Sequence, residues 1–343
     1  MLGLLRQPAV TMSRSVKLIF LLLGISLFGW AVSTVDLAVV GKLLLQLGTG
    51  FLLVLVIYSV VTWLDTIAWK KNFKPEEEIR FNLWQLWTIR QVGEAYNTIT
   101  PLGTLGGEPV KGQLLKERHG LSLKQGMASQ VVARTTFLLG LILFFIPGAF
   151  LIVQSNIVSD NFKSASLVGM ATFSTVILLF LLFQVTGTLS VITGWIARLP
   201  LGNKISVLMD KLEVVDRGIS SYYEQYTERA IQSVLYAFAG WVVGLGELYV
   251  TLYFLGFQPD FIDLWVIEAL AQLVRAGSFF IPLSLGAQEG GLILIFTAMG
   301  MPADLGLTVS FVRRIKELLW VGLGLGIGSG LAFYPTQVQA DES

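Results

Sequence analysis

Long apolar runs constrain this chain more than any other feature. Stretches at about 18–35, 43–64, 128–153, 165–197, 231–255 and 307–333 are long enough to cross a bilayer, whose hydrocarbon core takes roughly 20 apolar residues of helix. Backbone in that medium must satisfy its own N–H and C=O groups, which makes each run a helix. Composition agrees: 54% of residues are hydrophobic and 14% charged, with a mean hydropathy of +0.70, against roughly 25% charged in a soluble domain. The fold class is therefore an all-α integral membrane protein, a polytopic helical bundle.

Charge excludes some functions and orients others. A net charge of +1 and no basic tract interleaved with aromatics give no pull toward nucleic acid. Cysteine is absent, so neither a disulfide framework nor a thiolate metal site exists, and the only histidine is His119. No cofactor or metal is implied. Arg6, Arg14 and Lys17 before the first run resemble the start of a secretory signal, and "AVST" could be cut. An uncleaved first span is favoured, because further spans follow. Nine Lys and Arg lie between 65 and 127 and five between 198 and 230, but only Lys163 lies in 154–164 and only Arg275 in 256–306. The positive-inside rule then places the basic stretches and the N-terminus in the cytoplasm, with the chain in the plasma (inner) membrane. Ile205, Leu208, Leu212, Val215, Ile219, Tyr222 and Tyr226 recur at helical spacing. They form one apolar face, lying on the membrane surface or packed on the bundle's cytoplasmic end.

Two phrases repeat: "TPLGTLGGEP" at 100–109 and "IPLSLGAQEG" at 281–290. A shift of 181 lays Pro101 on Pro282, Glu108 on Glu289, Gln91 on Gln272 and Ala95 on Ala276. After one deletion Gly120 meets Gly300, Gly126 meets Gly306 and Arg134 meets Arg314. "NFKPE" at 72–76 likewise resembles "GFQPD" at 256–260. The chain reads as one transmembrane domain, 1–343. Its repeats run about 43–153 and 231–333, with the spans 18–35 and 165–197 outside them. Counting spans puts the first break in a cytoplasmic stretch and the second in an outer one, so the repeats are inverted. Segments 81–99 with 101–118, and 261–280 with 286–299, are expected as two re-entrant hairpins entering from opposite faces. Inverted repeats with broken helices, meeting near the midplane, are a transporter architecture.

Proline and glycine free backbone groups that only protein or a wet cavity can satisfy. Short helices starting near Gly107 and Ala287 then offer N–H groups and a positive dipole end to an anion. Ionisable residues inside the membrane should pair or line a pathway. Here they are Glu94, Glu108, Arg134, Glu268, Arg275, Glu289, Arg313, Arg314 and Glu317. Glu94 and Arg275 occupy equivalent positions with opposite sign and are expected to pair across the pseudo-twofold axis. For Glu108 and Glu289 two roles stay open: tying their own loops or an adjacent arginine, or carrying protons. Arg134, Arg275 and Arg314 serve anion binding or structural ion pairs. Trp84 and Trp87, with Trp63 and Trp69, read as an interfacial belt rather than a sugar platform. His119 reads as a solvated loop residue.

The phrase at 101–109, the basic helix to Gly120, the arginine-bearing span after it, and the late Gly-x-x-Glu-Gly phrase with its Gly-Met-Pro turn belong together. Over about 15–335 the pattern resembles the transmembrane flippase-like domain family of lysylphosphatidylglycerol synthases, in its stand-alone form. The resemblance implies a polytopic plasma-membrane protein that moves a lipid, often an anionic or modified phospholipid, between leaflets. By motif position it implies site residues Gly106, Gly107, Glu108 and Arg134, then Gly286, Glu289, Gly290 and Arg314. Two departures stand out. The chain ends at "YPTQVQADES" with no aminoacyl-transferase domain, so it is not expected to synthesise the lipid. Ala287 and Gln288 stand where the family commonly has a more basic run.

The expected function is thus a transporter, not an enzyme, for a lipid with an anionic headgroup: a phospholipid, a modified phospholipid or a polyprenyl-phosphate-linked lipid. Its partner is that membrane lipid; homo-oligomerisation is left open. The alternatives are a membrane enzyme acting on a lipid phosphate or lipid-linked sugar, and a non-catalytic partner of an envelope-lipid enzyme. One loop histidine and the lack of a paired-Asp motif weigh against the enzyme.

Overall fold

The computed structural model describes residue 33 and residues 36–99, 106–186, 219–278, 281 and 284–333. The expected first span at 18–35, the prolines of both breaks and the amphipathic stretch to 218 lie mostly or wholly outside them. Among the described residues every regular element is helical: α1 (Leu37–Leu47), α2 (Gly50–Lys71), α3 (Pro75–Glu78), α4 (Leu83–Ile99), α5 (Glu108–His119), α6 (Leu123–Gln154), α7 (Asp160–Val185), α8 (Thr227–Phe254), α9 (Phe261–Gly277), α10 (Ala287–Ala298) and α11 (Ala303–Phe333).

Short polar residues start these helices by accepting bonds from otherwise orphaned N–H groups. Asp36 Oδ1 takes Ala38 N–H at 2.8 Å at the start of α1. Asn82 and Gln85 exchange reciprocal bonds at 2.9 Å opening α4. Ser122 and Gln125 form a capping box opening α6. One boundary differs from expectation. The run at 43–64 is not one span, because Gly48, at φ 46°, turns the chain between α1 and α2. A side chain is strained at that backbone angle, whereas glycine is not.

Among the described residues four helices, α2, α6, α7 and α8, are long and apolar enough to cross a membrane. Their outer faces are oily: Leu52, Val56 and Val60 on α2, and Val168, Val176 and Leu182 on α7, are exposed. That pattern suits lipid rather than water. The chain is a multi-pass membrane protein. Inside, α8 packs along α2, and α11 along α4. Phe144 of α6 stacks on Trp265 of α9, with centroids 4.7 Å apart, and its carbonyl accepts Trp265 Nε1–H at 2.9 Å.

Between helices, small polar side chains act as glue. Asn72 Nδ2 donates to Thr136 Oγ1 at 3.2 Å and to Ser233 Oγ at 3.0 Å, joining the end of α2 to α6 and α8. Gln184, fully buried on α7, exchanges bonds with Thr135 and accepts the Tyr223 hydroxyl at 3.0 Å.

The two breaks share a local plan. α4 and α9 each have 17 residues, and α5 and α10 each have 12. Left-handed glycines follow both short helices, Gly120 at φ 65° and Gly300 at φ 73°. The next long helix then crosses closely. A Cβ on Gly126 would lie 3.3 Å from Gly112 Cα, and one on Gly306 would lie 3.1 Å from Ile293 Cα. Positions 112 and 293 differ by the same 181 residues as the repeated phrases.

Candidate functional site

In the first half, α2, α4, α5 and α6 enclose a cavity of about 110 Å³. Ordinary small-molecule pockets start at roughly 300 Å³, so this one suits a headgroup rather than a whole lipid. Asp65, Arg90, Glu94, Glu108, Lys111 and Arg134 line it, together with Gln130 and Trp69. Each arrives on a helix held by tight packing. Gly93 lets α5 lie against α4, where a Cβ would run into the Lys111 side chain, and Gly107 sits directly on the Gly93 backbone.

Arg90 Nη2 bonds Asp65 Oδ2 at 2.6 Å. Lys111, with its side chain 8% exposed, reaches Glu94 at 2.7 Å and Glu108 at 3.2 Å. One buried ammonium therefore serves two carboxylates, a good geometry being needed to offset its desolvation. Asn97 accepts Gly107 N–H at 2.7 Å and donates to Glu94 and Glu108, each at 3.3 Å. Arg134 lies 5.9 Å from the Phe137 ring centroid and has no ion pair among the described residues.

In the second half the charges of the break pair with one another. Glu289, 0% exposed, accepts Gly286 N–H at 2.7 Å with one oxygen and Arg314 Nη2 at 2.7 Å with the other. Arg314 also reaches Glu317 at 3.2 Å, and Arg275 reaches the other Glu317 oxygen at 3.2 Å. Arg313 pairs with Glu268 at 2.5 Å, and Lys316 with Glu247. Gly286 stands at φ 76°, and Gly290 N–H bonds the Gly286 carbonyl at 2.9 Å.

Several sequence expectations change. Glu94 and Arg275 do not pair with each other: Lys111 and Glu317 take them instead. Equivalence under the repeat fixes register, but the nearest opposite charge on the adjoining helix decides the bond. The N–H groups of Gly107 and Gly286, expected to be offered to an anion, are held by Asn97 and Glu289. Trp69 is no belt residue; it is buried and donates to Ser129 Oγ at 3.3 Å. Trp63, Trp84 and Trp87 stack on one another with centroids 5.0 to 5.7 Å apart. His119 Nδ1 donates to the Arg80 carbonyl at 3.1 Å, and partial burial holds its imidazole below the usual range despite that bond. Gly106 is half-buried and is not among the residues that line the cavity.

Asp65, Arg90, Lys111 and Gln130 were not singled out by sequence. Asp65 closes an apolar run, and a carboxylate there signals a partner. Arg90 and Lys111 merge into the cytoplasmic cations by count alone, and a neutral glutamine carries no charge signal.

Two UPF0104 membrane proteins of Methanothermobacter thermautotrophicus are similar to this chain. One is 26% identical over 238 residues, covering 65% of this chain and 66% of the relative. The other is 23% identical over 297 residues, covering 81% and 83%. No solved structure matches the chain. The family model described as the lysylphosphatidylglycerol synthase TM region matches residues 17–326, which takes in the cavity and both breaks. The chain belongs to the lysylphosphatidylglycerol synthase TM region family.

Proposed function

We propose that this protein moves a lipid with an anionic headgroup between the leaflets of the plasma membrane, without catalysing a covalent step. One observation carries the reading. Of the nine ionisable residues that the sequence places within the membrane, eight are ion-paired, and the ninth, Arg134, faces the cavity. An arginine held there without a carboxylate of its own suits a phosphate, which it can bind through two parallel N–H bonds. The acyl chains stay in lipid while the headgroup occupies the cavity.

The difference between the halves supports alternate exposure. Glu108 and Arg134 correspond to Glu289 and Arg314; the second pair is shut at 2.7 Å, while the first flanks open space. If the halves are inverted, as their Lys and Arg content indicates, rocking one against the other exchanges which side is open. The N-terminus is then cytoplasmic.

The test is lipid retention. Extracted lipid from purified protein should be enriched in anionic phospholipid relative to the source membrane, and Arg134→Gln should lose that enrichment. Identical lipid composition in wild type and variant would remove Arg134 from the site.

A further inference from the structure

The charges of the first-half cavity balance only because two carboxylates share one cation. Among the described residues its ionisable lining is Asp65 on α2, Arg90 and Glu94 on α4, Glu108 and Lys111 on α5, and Arg134 on α6. Three carboxylates face three cations, so the cavity is neutral as it stands. Only two of the cations sit in ion pairs: Arg90 holds Asp65, and Lys111 serves both Glu94 and Glu108. Arg134 offsets the third carboxylate through space. The second half shares nothing in this way. There Glu247, Glu268, Glu289 and Glu317 each bond a cation of their own, Lys316, Arg313, Arg314 and Arg275 in that order.

A phosphodiester that binds Arg134 takes up the balancing charge. Two carboxylates then remain on one ammonium, with side chains only 8% exposed at Lys111 and 18% at Glu108. A buried charge without a partner is costly, and a carboxylate so placed becomes neutral instead. We infer that the cavity takes up one proton with each anionic headgroup, and that Glu108 accepts it. The inference rests on the lipid-transport reading of the same cavity. The proton comes from water and joins a carboxylate oxygen; no other covalent bond changes. Glu94 keeps its charge, because its contact with Lys111 is the shorter, 2.7 Å against 3.2 Å, and its side chain is the more exposed. Asp65 keeps its charge through Arg90 at 2.6 Å. The loaded cavity is then neutral again, and the lipid's charge never stands alone inside the membrane.

Short-chain phosphatidylglycerol, whose phosphodiester stays charged near neutral pH, is titrated calorimetrically into detergent-solubilised protein in Tris and in HEPES. The two buffers differ in the heat of giving up a proton, so the difference between the titrations counts protons. About one proton per bound lipid is expected, with affinity falling by up to about tenfold for each unit rise in pH. Glu108→Gln is neutral from the start. It should bind more tightly than the wild type near neutral pH, take up no proton and lose the pH dependence. Lipid binding by the wild type without proton uptake would overturn the inference while leaving lipid transport standing. Uptake that survives in folded Glu108→Gln would overturn it too, by putting the proton elsewhere. Binding of no lipid by the wild type would count against the cavity as a lipid site, and so against both readings. The wild-type proton count needs no variant to fold.

Discussion

Arg134 and Arg314 hold matching places in two similar helical runs, yet one is bonded to a fully buried carboxylate and the other is not. Their replacement should therefore act on different quantities. Glu289→Ala strips both the Gly286 cap and the Arg314 partner, and breaking a buried pair costs about 3–5 kcal/mol. A clear fall in melting temperature is expected, with a smaller one for Glu289→Gln, which can still accept the Gly286 N–H. An unchanged melting temperature in the alanine variant would show that the pair contributes nothing to stability. Arg134→Gln, by contrast, breaks no ion pair and should melt close to the wild type while losing bound lipid. Sequence made Glu108, Glu289, Arg134 and Arg314 legible because charge inside an apolar run is conspicuous. Lys111 was hidden for the opposite reason: among nine cations of a basic stretch, nothing but packing tells which one is buried.

At the scale of elements, the breaks were legible from proline, glycine and glutamate in register, and the helices flanking them agree in length to the residue. The turn at Gly48 was missed although "LGTG" carries its signal, because hydropathy alone runs straight through it. Glycine spacing also sets how closely helices cross. A Cβ on Gly306 would lie 2.7 Å from the Leu292 carbonyl oxygen, a rigid backbone neighbour, whereas Gly126 has 3.3 Å to Gly112 Cα. Gly306→Ala should push α11 off α10 and cost about 1–3 kcal/mol, the usual range for overpacking. Gly126→Ala should cost less. Melting temperatures of the two variants in the same detergent check the order, and the reverse order would mean that α10 and α11 are not held by this crossing.

At the scale of the molecule, transport as proposed makes the paired charges of the second half and the cavity of the first two conditions of one local plan. The Lys and Arg asymmetry predicts that the halves are inverted across the membrane, and labelling tests this directly, since the chain has no cysteine of its own. Single cysteines at the exposed positions Lys116 and Asp260 should label from opposite sides, Lys116 from the cytoplasm and Asp260 from outside. Labelling of both from one side would end the inverted arrangement. Which helix pairs against which was not legible, because apolar runs look alike until small residues and buried hydroxyls such as Ser233 choose their neighbours. The central claim is that lipid crosses the membrane through the cavity beside Arg134. The most direct measurement is leaflet exchange of a fluorescent phosphatidylglycerol in liposomes that hold the purified protein. Wild type should raise the exchange rate above empty liposomes, EDTA should leave it unchanged, and Glu108→Gln and Arg134→Gln should each lower it roughly tenfold, equivalent to about 1.4 kcal/mol. Exchange no faster than in empty liposomes, or wild-type rates in both folded variants, would contradict it.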